Sequence, residues 1–316
     1  MSRAGQLVIE WNQTSRSDWD AAHAVGLGSY QQDWAYGAAL KATSPGVDVL
    51  RAVVRRADGV VVALAQVTAR AFALVGRFAL CTHGPVWVGT VLAEEKREAY
   101  RLLKSSLPQR WPRLLVLTPD EADAPKRLKR VMTGDATVLI DLTRDEAALR
   151  ADMESSWRNK LSKAERSDLQ VQKAGVKPAQ YRWLLEAEQK QRQKRGYRAM
   201  PLEMTERWQD AKADGANGDK AAGLAVFRAD LKRDAAAGML FLIHGKRATY
   251  HVGWTSDEGR AHAAHNLILW TAMKDLKARG VTVLDLGGVN TQSGAGIARF
   301  KLEAGGKVLL RAGGYV

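Results

Sequence analysis

The chain has 316 residues, 46% of them hydrophobic, which suits two ordinary globular cores better than one. No window reaches the roughly 18 apolar residues of a membrane span, the first residues lack the apolar core of a signal peptide, and the single Cys81 excludes an intramolecular disulfide and a Cys-based zinc site, so a cytoplasmic protein is expected. Forty-eight basic against 34 acidic residues give a net charge of +14, which fits RNA, nucleotide phosphates or an anionic membrane face as partners.

In chain order, Val47–Arg56 and Val60–Thr68 are β-rich runs joined through Asp58-Gly59, a strong hairpin signal. Extended chain follows at Phe78–Thr82 and Pro85–Val88, then a helix over Ala93–Ser106 with Glu94 and Glu95 in its first turn. Arg113–Leu117 reads as a buried strand. Asp145–Ser167 is helical and polar, with Trp157, Leu161 and Ala164 on one face and Arg158, Lys160, Lys163 and Arg166 on the rest. That helix is either a connector packed through Trp157 or a basic surface for phosphates.

The second half repeats the grammar of the first. Leu224–Ala229, Met239–His244 and Lys246–Gly253 form a meander, Ala264–Ala278 is a helix ended by Gly280, and Val281–Leu286 is a buried strand. Meander, helix, strand occurs twice, which predicts two related α/β domains, cut near 145 into 1–145 and 146–316.

The most informative stretch is Val281–Gly288 with the loop Asn290–Gly296 and the pair Phe300-Lys301. Asp285 is a carboxylate closing an apolar run, where burial is costly without a partner. An acid, a polar loop and a fixed cation at a strand's carboxyl end suit an anionic ligand. His262 and His265 have no third ligand at metal spacing, so no metal is expected.

Trp157–Arg166 followed by Leu169–Gln172, then Leu284–Val289, Phe300-Lys301 and Gly305-Gly306, resembles the signature of the FemABX family. Gly28–Trp34 and His83–Pro85 are similar to its N-terminal blocks in the same order. The resemblance implies two tandem GNAT-like acyltransferase domains with mixed sheets flanked by helices, the last strand returning to the first domain. No long coiled-coil insertion follows Ala174, so the chain looks like the family's armless members, with no coiled-coil arm. It implies an enzyme that moves an amino acid from aminoacyl-tRNA to an amine of a peptidoglycan precursor or related peptide, without cofactor and without DNA as a partner. It implies Lys301 as a functional residue holding phosphate or developing negative charge.

Asp285 could accept the amine proton or be a structural carboxylate bonded to Gly287 and Gly288 amides. Arg158, Lys160 and Lys163 are candidates for phosphate or tRNA contact. Tyr30, Gln31, Trp34, Phe300 and Asn290 are candidates for substrate binding. Two rival functions stay open: an acyl-CoA-dependent GNAT N-acyltransferase, disfavoured by the single glycine and two acids in Ser256–His265, and a non-catalytic protein binding RNA or an anionic membrane surface.

Overall fold

The computed structural model describes residues 6–72, 76–109, 113–194, 201–289 and 294–316. Its elements run β1 (Leu7–Trp11), α1 (Arg16–Val25), α2 (Trp34–Thr43), β2 (Val47–Arg56), β3 (Val61–Phe72), β4 (Gly76–Thr82), β5 (Val86–Trp87), α3 (Ala93–Ser105), β6 (Arg113–Thr118) and β7 (Arg130–Met132). There follow β8 (Ala136–Asp141), α4 (Glu146–Asp152), α5 (Ser155–Glu165), β9 (Leu169–Lys173), α6 (Pro178–Lys194), α7 (Glu203–Asp214), β10 (Leu224–Leu231), β11 (Asp234–His244) and β12 (Arg247–Thr255). The chain closes with α8 (Asp257–Ala261), α9 (Ala264–Ala278), β13 (Val283–Gly288), α10 (Ala295–Leu302), β14 (Lys307–Leu310) and β15 (Gly314–Tyr315). Among the described residues no helix is long and apolar enough to cross a membrane.

Two compact units result, Met1–Asp135 with Leu310–Val316, and Ala136–Leu309. The sequence placed the cut at 145. In the first unit the sheet runs β1-β2-β3-β4-β6-β15-β7, with β5 pairing β3 off the path. Asp58-Gly59 turns the chain between β2 and β3, with Gly59 at φ +87° and the Arg56 amide bonded to Val60 O at 2.9 Å. Successive side chains on a strand face opposite sides. Accordingly Ala52 packs with Tyr100 and Leu103 of α3, while Val53 packs with Trp19 of α1. Both faces are covered, so the strand reads as a continuous apolar run rather than an alternating one.

In the second unit the order is β14-β8-β13-β12-β11-β10-β9. Strands β10, β11 and β12 form an antiparallel meander, and β13 returns parallel to β12 through α9. Ile268, Leu269, Met273 and Leu276 of α9 join Trp157 and Leu161 of α5 over Phe227, Met239 and Phe241. Gly280, at φ +81°, ends α9 with its amide on Lys277 O and the Val281 amide on Leu276 O, the paired bonds that close a helix through a left-handed residue. The parallel crossover in each unit, β4 to β6 and β12 to β13, gives the doubled order a common topology.

Two sequence expectations need correction. The single helix over 145–167 is two helices, because Met153 and Glu154 are extended. The Arg158 guanidinium donates to the carbonyls of Ala151 and Met153 and satisfies the end of α4. The strand expected to stop at Leu286 continues through both glycines. Asp285 pairs Leu139 and Gly288 pairs Thr137 across β8, so β13 carries one extra residue and Gly287, at φ +76°, absorbs the bulge.

Candidate active site

The pairing of β12 with β13 covers Arg247–Val283 to Thr249–Asp285, while β12 runs on to Thr255 and β13 to Gly288. In the first unit the equivalent ladder joins β4 and β6 along Arg77–Thr82 and Arg113–Thr118. Where the shorter ladder of the second unit ends, a cavity of about 530 Å³ opens. It is walled by Tyr250, Gly253 and Thr255 of β12, Gly259 and Arg260 of α8, His265 of α9, Ala295, Gly296, Ile297 and Phe300 of α10, Lys160 of α5 and Gln191 of α6, with Gly294. Glycine at 253 leaves room for the Tyr250 ring: a Cβ there would lie 1.7 Å from its hydroxyl and force the tyrosine to move.

The wall is cationic and aromatic. Lys160 is exposed on it, and Arg260 shares its charge with Asp257 while donating to Thr255 O. Among the described lining residues there is no aspartate or glutamate. Phe300 lies between the Trp157 and His265 rings, at centroid distances of 5.8 and 6.1 Å, and its carbonyl accepts the Trp157 indole N–H at 3.1 Å. His265 donates through Nε2 to Trp254 O at 2.9 Å, and burial lowers its pKa to about 4, so it is a neutral wall residue.

Behind Phe300, Lys301 is 8% exposed. Its Nζ donates to Gly288 O at 2.9 Å and lies 5.8 Å from the centre of the Tyr250 ring. Burial lowers its pKa to about 8, with the Asp285 charge acting in the opposite direction. Asp285 is 5% exposed. Oδ1 accepts the Thr137 hydroxyl at 2.5 Å and the Gly287 amide at 2.8 Å, and Oδ2 accepts Nη2 of the buried Arg247 at 2.6 Å. These bonds occupy both oxygens with donors from the sheet itself, and Asp285 is not among the residues that line the cavity.

The structure therefore brings Phe300 and Lys160 together on the cavity wall, with Lys301 behind the lining Tyr250 ring and Asp285 deeper in the sheet; neither Lys301 nor Asp285 is among the lining residues. Arg158 is spent on the end of α4, and Lys163 donates to Ala261 O at 3.0 Å. Tyr30, Gln31 and Trp34 belong to the first unit. Tyr30 packs edge-on against Tyr36, Gln31 Oε1 accepts His83 Nδ1 at 3.1 Å, and Trp34 lies 3.7 Å beneath the Arg51 guanidinium. Asn290 falls outside the described residues. Sequence reasoning missed Arg247, Tyr250 and the Gly253 opening, and weighed His265 only as a metal ligand, which it rejected. The register shift between Tyr250 and Val252, which passes over His251 in the ladder with β11, puts Tyr250 on the same wall as Gly253 and Thr255, and simple alternation along the strand gives no sign of it.

Residues 151–302, almost all of the second unit, match the family described as acetyltransferase (GNAT) domain. The second unit is an acyltransferase domain. Among solved structures, that of FemX superposes with a TM-score of 0.79 at 16% identity, covering 97% of this chain and 96% of that one. A conserved protein of unknown function from Bacteroides thetaiotaomicron superposes with a TM-score of 0.56 at 15% identity, covering 98% of each chain. The chain has the fold of FemX. A search of curated protein sequences found no match. The FemX-like fold over nearly the whole length accounts for the doubled meander, helix and strand, and the GNAT domain makes the chain an acyltransferase.

Proposed function

We propose that this acyltransferase moves an aminoacyl group from aminoacyl-tRNA to an amine acceptor, a peptidoglycan precursor or related peptide, with the second unit's cavity receiving the donor. The observation that carries the reading is the cavity, whose described lining offers Lys160 and no carboxylate, with the buried Lys301 next to the lining Phe300 and 5.8 Å from the ring centre of the lining Tyr250. In aminolysis the acceptor nitrogen attacks the ester carbonyl, forming a C–N bond, and the bond from that carbon to the ribose oxygen breaks. Negative charge develops first on the carbonyl oxygen and then on the departing ribose oxygen. A buried ammonium stabilises both far better than an exposed one, because the surrounding dielectric is low. With a pKa near 8, Lys301 can also pass its proton to the ribose oxygen and recover one from the attacking amine. Asp285, with its oxygens committed to Thr137, Gly287 and Arg247, serves better as support than as base.

The segment entering α9 argues against a CoA pyrophosphate at that helix end. A pyrophosphate wants open backbone amides at a helix N-terminus. Here α8 fills that approach: the His262 amide bonds Glu258 O and the Ala263 amide bonds Arg260 O, and Asp257 and Glu258 occupy its first turn, where they repel phosphate. The test is donor binding by calorimetry. Charged tRNA should bind with an affinity that falls steeply with salt, and acetyl-CoA should release no heat. Saturable acetyl-CoA binding, with transfer of its acetyl group, would replace this reading by the ordinary GNAT reaction.

A further inference from the structure

Arg247 opens β12, 38 residues before the acid it pairs with. It is 4% exposed, on a strand whose next residues, Ala248 and Thr249, are also buried. A guanidinium is rarely taken that far from water unless its partner is fixed and the geometry good. Its partner, Asp285, is fixed three ways: by Arg247, by the Thr137 hydroxyl from β8, and by the Gly287 amide two residues on. The Gly287 bond lies within the bulge. It sets the left-handed turn of Gly287, and that turn aims the carbonyl of Gly288, which accepts Lys301 Nζ at 2.9 Å. A Cβ placed on Gly287 would lie 3.6 Å from that same Nζ, so lysine and bulge are packed together. Asp285 thus joins two neighbouring strands, and Lys301 hangs from the backbone that it shapes.

We infer that Arg247 is a positioning residue, which through Asp285 and the Gly287-Gly288 bulge holds the Lys301 side chain in place behind the cavity. The placement stands on geometry alone; its consequence for rate rests on the proposed aminoacyl transfer. Among the described residues, the charged and titratable groups that act on Lys301 are Asp285 from β13 and Tyr250 from β12, with Arg247 behind Asp285.

The experiment uses the full chain with its lysines labelled at Cε, and follows Lys301 by NMR across pH 6–11 in the native protein, Arg247→Met and Thr137→Val. Lys301→Met assigns the resonance. Arg247→Met should move the Lys301 signal and displace its titration midpoint by about half a unit or more. In the transfer assay it should lower kcat by about 10- to 100-fold with KM within about threefold. Combined with Lys301→Met it should be no slower than Lys301→Met alone, because the two act through one group. If Arg247→Met does not fold, Thr137→Val, which removes one donor to Asp285 and leaves the ion pair in place, carries the same readouts with a loss of about tenfold. A Lys301 signal and midpoint that coincide with the native ones in a folded variant would overturn the inference, as would rate losses that multiply with that of Lys301→Met. Native-rate transfer by Lys301→Met would instead remove lysine from the reaction while the NMR arm still decided the placement.

Discussion

Replacing Lys301 by methionine should cut transfer to a small residual rate and, at neutral pH, make the protein more stable. Its pKa falls from 10.5 to about 8 on folding, with desolvation the leading cause. At 1.36 kcal/mol per unit, that depression amounts to a penalty of about 3 kcal/mol for keeping the ammonium charged inside the fold. The group is 8% exposed, so solvent screening reduces the figure little. The sign follows from proton counts: between pH 8 and 10.5 the unfolded chain binds the proton that the folded chain has lost, so stability rises with pH through that window. The penalty is fully present below about pH 8 and gone by about 10.5. Methionine has similar volume and no charge. Against the gain stands the lost bond to Gly288 O, about 1 kcal/mol or somewhat more for a charged donor. Lys301→Met should therefore be about 1–2 kcal/mol more stable than the native protein at pH 7, and the difference should vanish or reverse near pH 10.5. Urea melts at pH 7, 9 and 10.5, monitored by tryptophan fluorescence, measure it. A variant that is less stable at pH 7, or whose difference does not change with pH, would refute the argument that Lys301 is a charge kept at a cost to stability for function.

The rate should also carry the lysine. If the ammonium is the working form, kcat should fall as pH rises through about 8, and stopped turnover measured from pH 6 to 10 should show that limb and lose it in residual activity of Lys301→Met. Lys160→Ala should weaken charged-tRNA binding and reduce the slope of log affinity against log salt by about 0.7–0.9, whereas Arg158→Ala, whose guanidinium caps α4, should lower the melt and leave that slope unchanged. Asp285→Leu should cost about 3–5 kcal/mol in denaturant melts, because it strands a buried guanidinium, and Asp285→Leu with Arg247→Met should recover much of that loss.

The fold was legible where local chemistry and global topology agree. Asp58-Gly59, the i, i+4, i+7 face of Trp157, Leu161 and Ala164, and Gly280 each prescribe one backbone state, and the structure adopts it. Elements whose identity depends on tertiary partners were not legible. β7, β14 and β15 are two to four residues long and exist because a neighbouring strand completes them. The glycines at 287 and 288 signalled an end in sequence, yet pairing with β8 turned them into a bulge. At the site, Phe300-Lys301 and Lys160 were visible as motif residues. Arg247 was not, because its meaning comes only from a parallel ladder that sets it opposite Val283, within side-chain reach of Asp285 two residues on, and the cavity was not, because it arises from two strands that cease to pair.

The central claim is that the donor is aminoacyl-tRNA. Its most direct test is transfer of radiolabelled amino acids from bulk charged tRNA to a UDP-linked muramyl pentapeptide and to an extract of small amines, with and without RNase, beside Lys301→Met. A labelled product that RNase pretreatment abolishes, and that Lys301→Met forms only at a residual rate, is the predicted result. Absence of any tRNA-dependent product, together with RNase-insensitive transfer from acetyl-CoA, would contradict it.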